Sequence, residues 1–503
     1  MANGREKKVR EKNRVFLARD ERQPIDWKRI IFILLGLFLF FVVYFSPDWG
    51  AAVDPAGKVF QLTREGKAAI GLFLLASVWW IFEVVPIGVT AIMIGVVQAL
   101  FLIRDPQVVF TDFMDPSVWF IFASIVIGLA FAKTGLTKRM AYKMLSVVGE
   151  KTSMIYLGSF LMVALLTLIM AHTAVAAATF PLLMTIYSLY DPEGTVTKFG
   201  KGLFIGMAFV AGAGSIITLL GSARGAVALG FFKNITGHEI GFFELSYYML
   251  PVGLTMVFLI WIFLLIMYKP ERPSIPGLSD KVKMLSDKLG SMNRNEALTL
   301  IIVFSAILLL SLRSFVPALE SLNKSGILLI TTVSFFVFKI LDVKDLEDVP
   351  WNIILLFGGA MCIGFCLWKT GAADWMAVNW LKLFQNSSWF VFVIMTAFFV
   401  LIMTNFIMNV AAIAITLPVA LATCQYLGVA PHVIIFASLV TAGMPFMLLI
   451  GAAPNAIAYE SRQFTSGEFL KAGIPMSIIL MVVLGIFIWL IWPLMGMPVL
   501  LAK

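Results

Sequence analysis

The sequence predicts an all-α integral membrane protein made of two inverted repeats, with about 11 transmembrane helices, two re-entrant hairpins and two broken helices. Three observations lead there. Sixty per cent of the 503 residues are hydrophobic and 13% are charged, with a mean hydropathy of +0.95, whereas a soluble domain needs more polar surface. Runs such as Ile30 to Phe45, Leu245 to Met267 and Met476 to Met495 carry no charge, each near the ~20 residues that cross ~30 Å of hydrocarbon. Long apolar segments are also interrupted by small and polar residues at corresponding places in the two halves of the chain. Alternating ten-residue strands are absent, so helices rather than a barrel must satisfy the backbone in lipid.

Taken in order, crossings are expected near 29–46, 68–84, 86–103 and 116–133. Residues 153–189 are too long for one straight crossing and are broken at Ala171-His172-Thr173, which suits a re-entrant hairpin. A Gly-interrupted segment near 200–229 and a crossing near 245–267 follow. Residues 269–296 form a charged connector with six Lys or Arg, cytoplasmic by the positive-inside rule. Crossings near 297–315, 325–341 and 351–368 lead to a second hairpin, 387–423, broken at Met408-Asn409-Val410. Gly-interrupted residues 433–458 and a last crossing near 473–495 complete the chain. The expected division is a basic cytoplasmic tail 1–28, a first repeat 29–268, the linker 269–296 and a second repeat 297–503.

The net charge of +9 does not signal nucleic acid. Ten Lys or Arg and five Asp or Glu lie within residues 1–29, the flank that anchors a cytoplasmic N-terminus. Cys362, Cys366 and Cys424 sit in apolar segments and read as small buried side chains, so neither a disulfide framework nor a metal site is implied. The C-terminus is expected outside the cell, in a plasma (bacterial inner) membrane protein surrounded by lipid.

Three paired features support the repeats. Lys133-Thr134-Gly135 recurs as Lys369-Thr370-Gly371, and Ala171-His172-Thr173-Ala174 recurs as Met408-Asn409-Val410-Ala411, each seven residues before a proline. Gly221-Ser222-Ala223-Arg224-Gly225-Ala226 recurs as Gly451-Ala452-Ala453-Pro454-Asn455-Ala456. Lys138, Arg139 and Lys143 follow the first Lys-Thr-Gly, while Asp374 follows the second with no cation before Lys382. That asymmetry puts the two flanks on opposite sides of the membrane. Inverted repeats with helices broken in matching places point to a secondary transporter with a midplane site. Half-helix N-termini favour anions and unwound carbonyls favour cations.

Trp79-Trp80-Ile81-Phe82-Glu83-Val84-Val85-Pro86-Ile87, Phe446 to Ile457 (Phe-Met-Leu-Leu-Ile-Gly-Ala-Ala-Pro-Asn-Ala-Ile) and Lys471-Ala472-Gly473-Ile474-Pro475 resemble motifs of the divalent-anion/sodium symporter family of dicarboxylate, citrate and sulfate transporters. The resemblance runs from about residue 65 to 495. It implies an elevator mechanism, in which a transport domain of hairpins and broken helices moves against a dimerising scaffold, so a homodimer is expected. The family has a Ser-Asn-Thr triplet at each hairpin tip that binds substrate carboxylates and Na⁺. Here the triplets are Ala171-His172-Thr173 and Met408-Asn409-Val410, and Ala223-Arg224-Gly225 stands opposite Pro454-Asn455.

The expected substrate ligands are therefore His172, Thr173, Ser222, Arg224, Asn409 and Asn455, and the expected ion ligands are Thr167, Thr404 and Asn409. The loss of hydroxyls weakens the case for two Na⁺ ions, because a hard cation needs oxygen ligands; one Na⁺ remains compatible with Thr404 and Asn409. Arg224 is expected to supply a fixed positive field, since a charge inside an apolar stretch usually faces a cavity or partner. Its guanidinium suits a carboxylate, sulfonate or sulfate. Glu83, beside Pro86, is expected to pair a Lys or Arg across helices. Asn405 reads as a lining group, and His238 and His432 as interfacial. Three scattered His without His-Glu-x-x-His argue against an enzyme. An anion channel on the same scaffold, a Na⁺-independent exchanger and a proton-coupled symporter are the alternatives.

Overall fold

The computed structural model describes residues 26–53, 58–384, 387–406, 408–424 and 426–501. Most of the basic tail expected at 1–28 lies outside them. Helices dominate. Among the described residues, eight helices are long and apolar enough to cross a membrane, and five more apolar ones are 10–17 residues long.

Helix α1 (Trp27–Tyr44) stands before two sets of elements that follow the same order. The first comprises α2 (Arg64–Ile81), α3 (Ile87–Leu100), a short α4 (Pro106–Phe113), α5 (Pro116–Thr134) and α6 (Leu136–Leu145). It continues with the hairpin α7 (Thr152–Leu166) and α8 (His172–Tyr190), the broken pair α9 (Lys198–Ser215) and α10 (Ala223–Thr236), and α11 (Phe242–Met267). After the linker helix α12 (Leu278–Lys288) come α13 (Arg294–Leu312), α14 (Pro317–Glu320), α15 (Lys324–Val337), α16 (Val343–Glu347), α17 (Trp351–Lys369) and α18 (Ala372–Phe384). The second hairpin is α19 (Trp389–Phe406) with α20 (Asn409–Cys424). The second broken pair is α21 (Pro431–Ala442) with α22 (Ala453–Tyr459), and α23 (Ser466–Ile486) follows, extended by a π turn to Leu494. The observed helices start and stop within about four residues of the expected crossings, except that α23 begins at Ser466 rather than near 473.

Local chemistry sets these boundaries. Asp115 caps α5 by accepting from Ser117 N at 2.8 Å, with Pro116 at the first helical position, where a missing N–H costs nothing. Asn293 with Glu296, and Thr465 with Glu468, form reciprocal capping boxes for α13 and α23. The paired Lys-Thr-Gly motifs end α5 and α17 in the same way, with Gly135 and Gly371 at φ 82° and 72°, a conformation that disfavours a Cβ.

The two sets pack reciprocally. Helix α3 lies on α17 as α15 lies on α5, and α10 lies on α20 as α22 lies on α8. Their ends sort onto two faces. On the face of the linker, Lys133 pairs with Asp342 and Asp345, and Arg139 binds Glu296 at 3.0 Å and the carbonyls of Leu289, Gly290 and Ser291. Thr152, which opens the first hairpin, donates to Arg272 O at 2.9 Å. On the opposite face, Trp375 Nε1 donates to Gly50 O at 3.0 Å, and Val429, just past the second hairpin, pairs with Leu500. The turn after α5 and the turn after α17 thus stand on different faces.

One expectation changes. Glu83 is exposed at φ 43° and makes no ion pair among the described residues. The contact across helices at this turn is Arg29 Nε to Val84 O, 2.6 Å, because the strained turn points a carbonyl rather than the carboxylate at α1. Glu239, in the loop between α10 and α11, is instead a hub: Lys233, Arg313 and Lys324 approach it at 2.8, 3.2 and 2.9 Å.

Burial alone would raise the Glu239 carboxyl, but Lys324 and Lys233 outweigh it and hold the group at about 2, below its ordinary 4.5. A depressed carboxylate stabilises the fold above its unfolded value and loses that contribution as pH falls through the folded one. Glu239→Gln should therefore lower the melting temperature in detergent at pH 7. The gap to the parent should close as pH falls from 4.5 toward about 2; a gap that widens on acidification contradicts this placement.

Candidate functional site

Four helices stop inside the apolar interior, and each stop leaves backbone groups that lipid cannot satisfy. The first hairpin turns at residues 167–171 and the first broken helix opens at 216–222. These two breaks satisfy each other. His172 N donates to Gly221 O at 3.0 Å and His172 Nδ1 lies 3.2 Å from the same carbonyl. Thr218 Oγ donates to Leu168 O at 2.8 Å.

The second pair repeats the arrangement with different residues. Asn405, at the end of α19, accepts from Met447 N and Leu448 N at 2.8 and 3.2 Å through its Oδ1. Thr404 Oγ lies 2.9 Å from Asn409 Oδ1 and 3.1 Å from Ala442 O. In the unwound stretch itself, Asn455 Nδ2 donates to Pro445 O and Leu448 O at 2.9 and 3.1 Å.

Arg224 joins the two halves. It is 1% exposed and makes no ion pair among the described residues. Its Nη1 donates to Ser222 Oγ at 2.5 Å and its Nη2 to Ser215 Oγ at 2.7 Å. The guanidinium also lies against Gly443, where a built Cβ would come within 2.7 Å of Nη2 and 2.3 Å of Ile216 Cγ2. Gly443 ends α21, and its carbonyl is the nearest atom to a Cβ built on Gly212 of α9, at 2.7 Å. A cation is thus seated where the C-terminal ends of α9 and α21 meet, the negative ends of both helix dipoles. This seat explains how an unpaired buried charge is tolerated without a carboxylate.

The sites expected from sequence separate into groups. Arg224 and Ser222 are bonded to each other, as are Thr404 and Asn409, and His172 is held on the loop that carries Arg224. His172 and Thr173 are partly exposed. They open α8, whose N-cap Ala171 offers no side-chain bond, and Ser222 likewise makes no side-chain cap for α10. Two helix N-termini without a side-chain cap therefore flank the buried cation, the first N–H of α8 being the one bonded to Gly221 O, and such ends favour an anion. Asn455 is 2% exposed and uses its amide to hold the loop. Thr167 is fully buried and donates to Ala164 O at 2.6 Å. His238 is exposed, and His432 lies edge-on to Phe232 with centroids 4.9 Å apart.

Sequence reasoning missed Ser215, Thr218 and Gly443. The signal for Ser215 was available, since a buried Arg needs acceptors and Ser215 closes a run of small residues just ahead of the break. Gly443 lies 219 positions from Arg224 and carried no local signal.

The family described as the sodium:sulfate symporter transmembrane region matches residues 52–498. The sodium-dependent dicarboxylate transporter SdcS of Staphylococcus saprophyticus is 23% identical over 96% of this chain and 95% of its own length. SdcS of Staphylococcus aureus strain MRSA252 is 23% identical over 94% and 93%. Among solved structures, Neisseria gonorrhoeae MtrF, reported with a class of antimetabolite efflux pumps, aligns with a TM-score of 0.56 at 13% identity, covering 93% of this chain and 96% of that one. The Alcanivorax borkumensis YdaH transporter aligns at 0.50 and 12%, covering 93% and 98%. The two solved structures bear on the fold alone.

Asn405→Ala would strand two loop N–H groups, so it should destabilise the protein by about 2 kcal/mol, read as a lower melting temperature in detergent. Thr396→Ala, which removes a buried hydroxyl with no partner among the described residues, should lower it much less; equal losses contradict the brace assigned to Asn405.

Proposed function

The chain belongs to the sodium:sulfate symporter family, and from that membership we propose that it is a secondary transporter of small anions, carboxylate dianions foremost. Residues 29–268 and 297–503 are the inverted repeats, and the hairpins with the broken helices form a transport domain that moves as an elevator against the remaining helices. The repeated element order, the reciprocal packing and the opposite faces reached by the turns after α5 and α17 support the repeats. The basic linker face is the cytoplasmic one and the C-terminus is external, in line with the positive-inside rule.

The observation that carries the substrate class is Arg224, a buried cation without a carboxylate beside the uncapped N-termini of α8 and α10. The relatives are named sodium-dependent. In this chain His172 occupies the middle of the first tip, and its backbone N–H is bonded to the loop that leads to Arg224. We assign the first cation position to Arg224 itself, which makes Na⁺ coupling weak. At the second tip, Thr404 and Asn409 oxygens stand beside Ala442 O and could hold a single Na⁺.

Two experiments follow. Proteoliposomes should take up labelled succinate or sulfate when Na⁺ is replaced by choline, at a rate within about threefold of the Na⁺ value, a cost under 1.4 kcal/mol; uptake abolished in choline contradicts the assignment of Arg224. Arg224→Ala should cut uptake by about tenfold or more, with Arg224→Lys retaining part of it, as fits a point charge in place of a planar fork. Equal losses in both variants would point to packing rather than charge.

A further inference from the structure

A cavity of about 330 Å³ lies away from the two hairpin tips, on the face opposite the linker. It is walled by the N-terminal end of α5, the N-terminal end of α15 and the outer part of α10. At its mouth stand Lys233, Arg313 and Lys324; at its inner end are Leu219 and Ala226. Those two residues flank Ser222 and Arg224 in the chain, so the cavity wall is formed in part by the segment that carries the buried cation.

The cations at the mouth are built in rather than loose on the surface. The side chains of Arg313 and Lys324 are 10% and 14% exposed. Three cations converge on one carboxylate, Glu239, which alone cannot satisfy them. Arg313 spends Nη1 on Glu239 and Nη2 on Glu320 O, at 3.2 and 2.8 Å, and its buried Nε has no acceptor among the described residues. Lys324 divides itself between Glu239 and Ile240 O. The other nearby carboxylates do not close this gap: Asp115 is committed to capping Ser117 at 2.8 Å, and Glu320, which also lines the cavity, makes no ion pair among the described residues.

Arg313 and Lys324 line the cavity with nearly buried side chains, and with Lys233 they offer more donors than the one carboxylate can accept, a shortage that an entering acceptor relieves. Glu239 sits on the short loop Gly237–Gly241 between α10 and α11, so its carboxylate can leave without unfolding a helix. We propose that this cavity is a peripheral site for a small carboxylate dianion on the external face, and that Glu239 is a placeholder which the incoming carboxylate displaces from Arg313 and Lys324. The site shares its ligand class with the anion transporter proposed above and rests on that reading for its external placement. Its role is to gather the anion and hold it one loop away from Arg224, which raises the local concentration of substrate.

The test reads binding directly, so that it stands apart from transport. Leu322 lines the cavity and is 38% exposed, and the native cysteines are buried. Leu322→Cys protein in phosphatidylcholine vesicles, labelled with an impermeant maleimide, should be protected by external succinate in a concentration-dependent way. Neutral lipid excludes an anionic headgroup as the occupant; protection that appears only without succinate, on adding phosphatidylglycerol, would assign the site to lipid and overturn the proposal. Adding Glu239→Gln should shift half-protection to severalfold lower succinate, since the competitor is gone, and adding Arg313→Gln should shift it severalfold higher. These opposite shifts are not what a folding defect would produce. Labelling unaffected by succinate in all three backgrounds overturns the proposal, even if the vesicles transport succinate normally. Failure to transport any anion, with protection intact, would instead count against the transporter reading.

Discussion

The constraint on which the rest of the structure depends is the accounting of backbone hydrogen bonds at four helix interruptions inside an apolar interior. Lipid offers no partner to a free N–H or C=O, so each interruption must be completed by protein. The chain does this by pairing breaks. The first hairpin tip and the first broken helix meet through His172, Gly221, Thr218 and Leu168. The second pair meet through Asn405, Thr404 and the unwound stretch that Asn455 spans. Similar breaks are satisfied by backbone and hydroxyl groups in one half and largely by side-chain amides in the other.

That division leaves room for one charge. In the first half, Ser215 and Ser222 are free to accept from Arg224, and in the second Gly443 provides the space its guanidinium needs. The cation is seated at the meeting of two helix C-termini and beside two uncapped helix N-termini. The dipoles on one side tolerate it, and those on the other add to the positive field around it. A permanent charge in this position is the physical basis for expecting weak dependence on Na⁺, although the relatives are named for sodium dependence.

Much of the architecture was legible because membrane insertion makes sequence patterns blunt. Apolar runs bounded by charge gave the crossings, as at α1, expected over 29–46 and found over Trp27–Tyr44. The Lys-Thr-Gly pair was legible because a helix end needing positive φ selects glycine twice. The breaks were legible because small and polar residues are expensive in lipid. What stayed hidden was where side chains go once the breaks meet. Asn455, expected among the ligands, also spends its amide nitrogen on its own loop, since a polar residue at a break serves ligand and backbone by the same chemistry. The contact of Arg224 with Gly443, and of Glu239 with Arg313 and Lys324, joins residues from different halves of the chain, and no local period records such a contact.

The central claim is that Arg224 provides the positive charge that an anion needs, in place of a bound cation. The most direct measurement is calorimetric titration of succinate into purified protein, with and without Na⁺, for the parent and for Arg224→Ala. The account predicts that the parent binds succinate in Na⁺-free buffer, with an affinity that Na⁺ changes little, and that Arg224→Ala loses this binding. A parent that binds succinate only when Na⁺ is present, or an Arg224→Ala variant that binds as well as the parent, would contradict it.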